Sequence, residues 1–477
     1  MGADSAATEP SWLISLRSFR ADSSPTPLVP EHAEEEVLLR LSNMLLDAAQ
    51  PSSELMPCLG SEPGTATLEA IPTFFRGRED PDAISSKVYR EARLRALGMR
   101  SQQLLDNSQL EQIWYLLQRH ISTQKDAAGE DRINYDEFCQ AATACRETFG
   151  ACVDQYFKAS TFLRFERDSS GAISILAFFN YMMRRNAMLQ TRVHLSWFDE
   201  GGEGALSEAQ LANYIAQLIP ELPGLDGLDL NMTPRQYCTI ATRKFMFFHG
   251  RRGRVRIRDL LTSAVLAELL ELRLAPSPEA LPGGPTTNWF SLLSVERVRN
   301  LFVDLDQDMN GYLTSREFFG FSMGTMSPLF IERLFEEHVA SSKARRAGGP
   351  KGQMDFLAFL DFLLAWENRN MPSAVTYFFS VFDMRSQGYL TQVEIYTFFK
   401  AIYNMWVACG QYPELSVEDV KDEIFDIVKP QDPLRITPMD LQACGMAGTA
   451  IMMLADVNLF WEYDNRESLM QSSDEAH

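Results

Sequence analysis

Apolar positions along the chain fall mostly at helical spacing. FLAFLDFLLAW (356–366) and NYIAQLIPEL (213–222) are rich in Phe and Leu, the pattern of helices packed on a core. KVYREARLRALGMRSQQLLDN (87–107) predicts a basic helix that reaches an apolar end. EEEVLLRLSNMLLDAA (34–49) predicts an amphipathic one, with Val37, Leu38, Leu41, Leu45 and Leu46 on one face. Strand signals are confined to very short pieces, and those pieces repeat. An apolar residue, then a polar one, then the opening of an apolar helix recurs at Ile133, Ile173, Leu206, Val255, Leu313, Met354, Leu390 and Ile436. Their spacing, 33 to 58 residues, suits one helix–loop–helix unit plus a variable connection. Neighbours then pair into four lobes: 133 with 173, 206 with 255, 313 with 354, and 390 with 436.

The loop 306–317, DQDMNGYLTSRE, gives the repeat a chemical meaning. A calcium loop of EF-hand type needs oxygen ligands at positions 1, 3, 5, 7, 9 and 12, a glycine at 6 for the sharp turn, and a bidentate glutamate at 12. Asp306, Asp308, Asn310, Gly311 and Glu317 meet these requirements, Tyr312 offers its backbone carbonyl, and Thr314 binds directly or through water. Leu313 then stands at position eight, where paired loops form a two-strand bridge. The expected fold is therefore all-α: an elongated array of paired EF-hand-like units, mostly degenerate, with very short loop-to-loop β bridges. Three acidic side chains suit a sensor-range affinity, on the order of micromolar.

The other loops lack the ligand set. DMRSQGYLTQVE (383–394) keeps Asp383, Gly388 and Glu394 but has Arg385 at position three, a cation where a ligand belongs. ERDSSGAISILA (166–177) ends in Ala177, and DEGGEGALSEAQ (199–210) in Gln210. DAAGEDRINYDE (126–137) has Ala128 at three and no glycine at six, and HGRRGRVRIRD (249–259) is arginine-rich and short. These read as structural hands held by packing.

Breaks in the pattern divide the chain. Residues 1–66 mix Pro, Ser, Glu and Ala and are expected to be largely flexible apart from the 34–49 helix. A helical region with degenerate lobes spans 67–274, and APSPEALPGGPTTN marks a linker over 275–288. A pair with one intact calcium loop follows at 289–370, a second pair at 371–467, and a polar tail at 468–477. KARRAGGPKG (343–352) reads as an exposed loop.

Composition narrows the class. At 477 residues a single core is not expected, and roughly three or four domains or sub-lobes is the prior. Acidic residues outnumber basic ones 64 to 44, a net charge of −20, which argues against nucleic acid as a partner. Seven scattered cysteines (Cys58, Cys139, Cys145, Cys152, Cys238, Cys409, Cys444) form no C-x-x-C pair and read as reduced thiols. The start MGADSAATEP is not a signal peptide, and Ala6 makes it a poor myristoylation site. No apolar run reaches about 18 residues, so no membrane span is expected.

Catalytic arrangements are not evident. Six histidines (His32, His120, His194, His249, His338, His477) are dispersed, and no H-E-x-x-H, G-x-S-x-G, P-loop or G-x-G-x-x-G phrase occurs. His338, after Glu336 and Glu337, reads as a solvated helix face. Arg251, Arg252, Arg254, Arg256 and Arg258 read as a solvated loop, with phosphate or an acidic partner as the alternative. Phe378, Phe379, Phe398 and Phe399 read mainly as core.

The phrases KDEIFDIVKPQDPLRITPMDL (421–441), FLAFLDFLLAWENR (356–369), DQDMNGYLTSREF (306–318) and LFWEYDNRE (459–467) resemble the B-double-prime regulatory subunits of protein phosphatase 2A. IPTFF (71–75), LLDNSQLEQIWYLLQRH (104–120), ISILAFFNYMMRR (173–185) and TTNWF (286–290) resemble the gamma branch, which includes the plant TONNEAU/FASS proteins. The resemblance spans about residues 70–467. It implies a non-catalytic subunit that binds the phosphatase scaffold and catalytic subunits and directs serine/threonine dephosphorylation. It also implies cytoskeletal targeting partners, a cytoplasmic and cytoskeleton-associated location (cortical microtubules, or centrosome and basal body), and a role in microtubule organisation and division-plane placement. Its calcium ligands fall on Asp306, Asp308, Asn310, Tyr312 and Glu317; Arg385 departs from a second site. The competing expectation is a calcium-responsive cytoskeletal adaptor acting without phosphatase. A plain calcium buffer fits poorly, because one good loop in so long a chain buffers little.

Overall fold

The computed structural model describes residues 83–120, 131–228, 232–273, 288–340, 352–410 and 416–466. The chain forms two compact units, Met1–Arg93 and Leu94–His477. Of the first, the helical start of α1 (Ile84–Gln102) is described. The helix expected at 34–49, the 1–66 segment and the 468–477 tail lie outside the described residues. So do the 275–288 linker except Asn288 and the 343–352 loop except Gly352.

The predicted run 87–107 is not one helix. α1 stops at Gln102, and Asp106 opens α2 (Asn107–Arg119) with a capping box. Its carboxylate accepts from Gln109 N at 2.7 Å while the Gln109 side chain accepts from Asp106 N at 3.0 Å. This reciprocal pair satisfies amides that have no partner within the helix and fixes the restart.

Within the second unit the lobes follow in order. β1 (Arg132–Ile133) leads into α3 (Tyr135–Phe149), then the one-turn α4 (Ala159–Phe162). β2 (Ile173–Ser174) opens the long α5 (Ile175–Phe198). β3 (Ala205–Ser207) and α6 (Glu208–Leu218) precede α7 (Pro234–His249), β4 (Arg254–Arg256), α8 (Ile257–Leu261) and α9 (Ala264–Leu270). α10 (Leu292–Leu305) enters the 306–317 loop, followed by β5 (Tyr312–Leu313), the one-turn α11 (Ser315–Phe318) and α12 (Pro328–Phe335). Then come β6 (Met354–Asp355), α13 (Phe356–Glu367), α14 (Pro372–Phe382) and α15 (Gln392–Ala408). α16 (Val417–Val428), α17 (Pro438–Ala443), α18 (Ala447–Ala455) and α19 (Val457–Asp464) complete the last lobe.

The fold is all-α and EF-hand-like, and the register of its bridges follows the repeat. Ile133 pairs with Ile173, Leu206 with Val255 and Leu313 with Met354, each antiparallel. Leu390 pairs with Ile436 through reciprocal backbone bonds of 2.8 Å. All eight side chains are buried at 0–1% exposure, so each bridge is also the apolar contact that joins two loops. One hydrophobic cluster gathers Leu105 through Met182, and a larger one gathers Leu195 through Phe460. α5 contributes to both, with Phe178, Phe179 and Met182 in the first and Leu195 in the second. Phe378, Phe379, Phe398 and Phe399 are core.

Candidate functional site

The 306–317 loop begins where α10 ends. Asp306, nearly buried, turns its carboxylate inward to accept from Asn310 N at 3.1 Å and Gly311 N at 2.8 Å. Gly311 takes φ +82°, the left-handed conformation that the turn needs and glycine adopts without strain. Asp308 accepts from Asn310 N at 3.1 Å and from the Asn310 side-chain amide at 2.7 Å, and the Asn310 oxygen accepts from Tyr312 N at 2.7 Å. Glu317 returns from α11 to accept from Thr314 N at 2.9 Å, Thr314 Oγ1 at 2.7 Å and Gln307 N at 3.2 Å. The Thr314 amide and hydroxyl, with further backbone donors, hold the Glu317 carboxyl below its ordinary range, so it stands ionised.

Carboxylate oxygens of Asp306, Asp308 and Glu317 thus lie within 4.8 Å of one another. No lysine or arginine among the described residues pairs with them. Negative charges on carboxylates that close repel one another unless a cation sits between them. Their hard oxygens, with the Asn310 amide beside them and Tyr312 in β5 next to it, form a donor set of the type that holds Ca²⁺ or Mg²⁺.

In three degenerate loops one carboxylate has an arginine partner. In 383–394, Arg385 Nε lies 3.6 Å from Glu394 Oε1. Burial pushes the Glu394 carboxyl up, but the Thr391 bonds and the Arg385 charge outweigh it and leave it below the ordinary range. In 199–210, Glu203 pairs with Arg254 of β4. In 166–177, Asp168 has Arg132 Nε at 3.9 Å.

His338 corrects the reading of a solvated face. Its ring stacks on Tyr377 with centroids 3.7 Å apart and planes 4° apart, and its Nε2 meets Tyr377 O at 3.1 Å and Ser380 Oγ at 3.2 Å. Burial pushes its imidazole down to about 4. The arginine run agrees with the solvated-loop reading: Arg251, Arg252, Arg256 and Arg258 are exposed. Sequence reasoning missed the Arg243–Asp361 fork between α7 and α13, because residues 118 apart give no local signal. It also missed Asp456, buried, which caps α19 and accepts from Thr325 Oγ1 at 2.7 Å.

Paired helix–loop–helix units with one uncompensated acidic loop define an EF-hand-like protein. No family model matches the chain. TON2 of Arabidopsis thaliana, a probable B'' regulatory subunit of serine/threonine-protein phosphatase 2A, is 40% identical over 403 residues, 84% of this chain and 83% of that protein. The gamma form of the B'' regulatory subunit from Homo sapiens is 40% identical over 411 residues, 85% of this chain and 86% of its own. The delta form from Mus musculus is 24% identical over 65% of this chain and 63% of its own. The chain belongs to the B'' family of protein phosphatase 2A regulatory subunits, which are non-catalytic. A solved chain from a PP2A PR70 holoenzyme aligns at TM-score 0.46 and 22% identity over 54% of this chain and 93% of its own, and nothing about function follows from that distance.

Proposed function

We propose that this chain, as a regulatory subunit, binds the scaffold and catalytic subunits of protein phosphatase 2A and holds one Ca²⁺ in the 306–317 loop. Asp306, Asp308, Asn310 and Glu317 supply side-chain oxygens, and Tyr312 its carbonyl. The observation that carries the metal reading is the cluster of three carboxylates without a counter-cation among the described residues. Family membership supports the phosphatase reading. The chain's own residues orient the ligands: Gly311 permits the turn, and the Thr314 amide and hydroxyl aim Glu317. Once in the complex, the chain directs the phosphatase to cytoskeletal substrates through targeting proteins in the cytoplasm, at microtubule arrays or the centrosome, and contributes to division-plane placement.

The test is co-elution of the full chain with purified scaffold and catalytic subunits, in calcium and in chelator. A ternary complex in calcium is the expected result. Loss of the complex in chelator makes the ion a switch, whereas retention makes it structural. No complex in either condition overturns the proposal and leaves a cytoskeletal adaptor acting without phosphatase.

A further inference from the structure

The 306–317 and 383–394 loops share one frame of hydrogen bonds. Asp306 accepts from the amides of Asn310 and Gly311; Asp383 accepts from Gln387 N at 3.0 Å and Gly388 N at 2.7 Å. Glu317 accepts from the amide and hydroxyl of Thr314; Glu394 accepts from the amide and hydroxyl of Thr391. Gly311 and Gly388 both take φ +82°. Both position-eight leucines bridge to a partner loop. Among the ligand positions the loops differ at position five, where Gln387 replaces Asn310 with another side-chain amide, and in charge at position three, where Asp308 adds a negative charge and Arg385 a positive one.

A carboxylate as buried as Glu394, at 1% exposure, requires hydrogen bonds and a counter-charge to stay ionised. Thr391 supplies the bonds, and Arg385, 3.6 Å away, supplies the charge. The Arg254–Glu203 and Arg132–Asp168 pairs place a guanidinium beside one carboxylate of two more degenerate loops, from the partner loop in each case. Three degenerate loops thus have an arginine paired with one of their carboxylates, whereas among the described residues no arginine, Arg316 of the loop itself included, pairs with Asp306, Asp308 or Glu317.

We propose that Arg385 is a built-in substitute for a metal ion. Its guanidinium holds Glu394 where a bidentate ligand would stand, so the last lobe keeps the same loop frame at any calcium level. The 383–394 loop is then a latent divalent-cation site, closed by one side chain. This rests on the calcium reading of 306–317 only for the choice of probe ion.

The experiment is calorimetric titration of the full chain with CaCl₂, on the parent, Arg385→Asp, Glu317→Gln and the double variant. Arg385→Asp is expected to take up one more calcium than the parent, and the double variant to keep one. Its melting temperature falls in chelator and recovers in calcium. Arg385→Leu, which removes the cation without adding a ligand, lowers the melting temperature equally in both and gains no site. Should Arg385→Asp fold in neither condition, Arg385→Asn supplies a neutral oxygen donor and the same added site is expected. A folded Arg385→Asp or Arg385→Asn with no added calcium overturns the proposal, as does an Arg385→Leu that melts with the parent. If the parent binds no calcium while Arg385→Asp binds one, the reading of 306–317 fails and the inference about Arg385 stands.

Discussion

At residue 311 the backbone turns with φ +82°, which an L side chain adopts at a cost of roughly 1–2 kcal/mol. A Cβ there meets nothing within 4 Å, so the cost of Gly311→Ala is conformational rather than steric. Urea unfolding in chelator should show a loss of about that size, and calcium affinity should fall as well. His338 gives a pH signature of its own. In the unfolded chain it takes its proton near pH 6.5; in the folded chain burial delays this until about 4. Between those values the unfolded state binds more protons, so stability falls as pH falls through that window and the whole contribution, roughly 3 kcal/mol, is lost below it. His338→Phe keeps a ring against Tyr377 but does not titrate. Its unfolding free energy should change less than the parent's between pH 6.5 and 4; equal slopes would sink the assignment. The sequence placed His338 on a solvated face because Glu336 and Glu337 precede it. The stacking partner Tyr377 comes from a different helix, 39 residues on, which no local pattern shows.

At the scale of the element, the position-eight residues carried the fold. Each is an apolar residue in a polar loop, and the four bridges they form, from Ile133–Ile173 to Leu390–Ile436, were legible because burial leaves that position little choice. Leu206 is fully buried against Val255, so Leu206→Ala should cost about 2–5 kcal/mol in thermal or urea unfolding. Helix limits were less legible. Asp106 and Gln109 form a D-x-x-Q capping box inside an otherwise continuous helical pattern, and the run 87–107 hid it. The guanidinium pairs were half legible: Arg385 stands in its own loop, whereas Arg132 and Arg254 reach their carboxylates across a bridge that only pairing creates.

For the second compact unit as a whole, long-range polar contacts fasten one lobe to the next. Arg243 of α7 grips Asp361 of α13 through two bonds, with Glu208 at 3.6 Å, and both ends of the fork are mostly buried. Asp361→Asn removes the charge and leaves the guanidinium without its main partner; a loss of about 3 kcal/mol is expected in urea unfolding. The flanks of the 306–317 loop are fastened too: α10 and β5–β6 pack into the larger hydrophobic cluster through Phe302, Leu313 and Met354. At this scale the central claim is that a chain of many EF-hand-like loops has one metal site, in 306–317. Calorimetric titration of the parent with CaCl₂ beside Glu317→Gln tests it most directly. One calcium per chain, lost in the variant while far-UV circular dichroism is unchanged, is the predicted result; none in the parent, or one that survives Glu317→Gln, would contradict it.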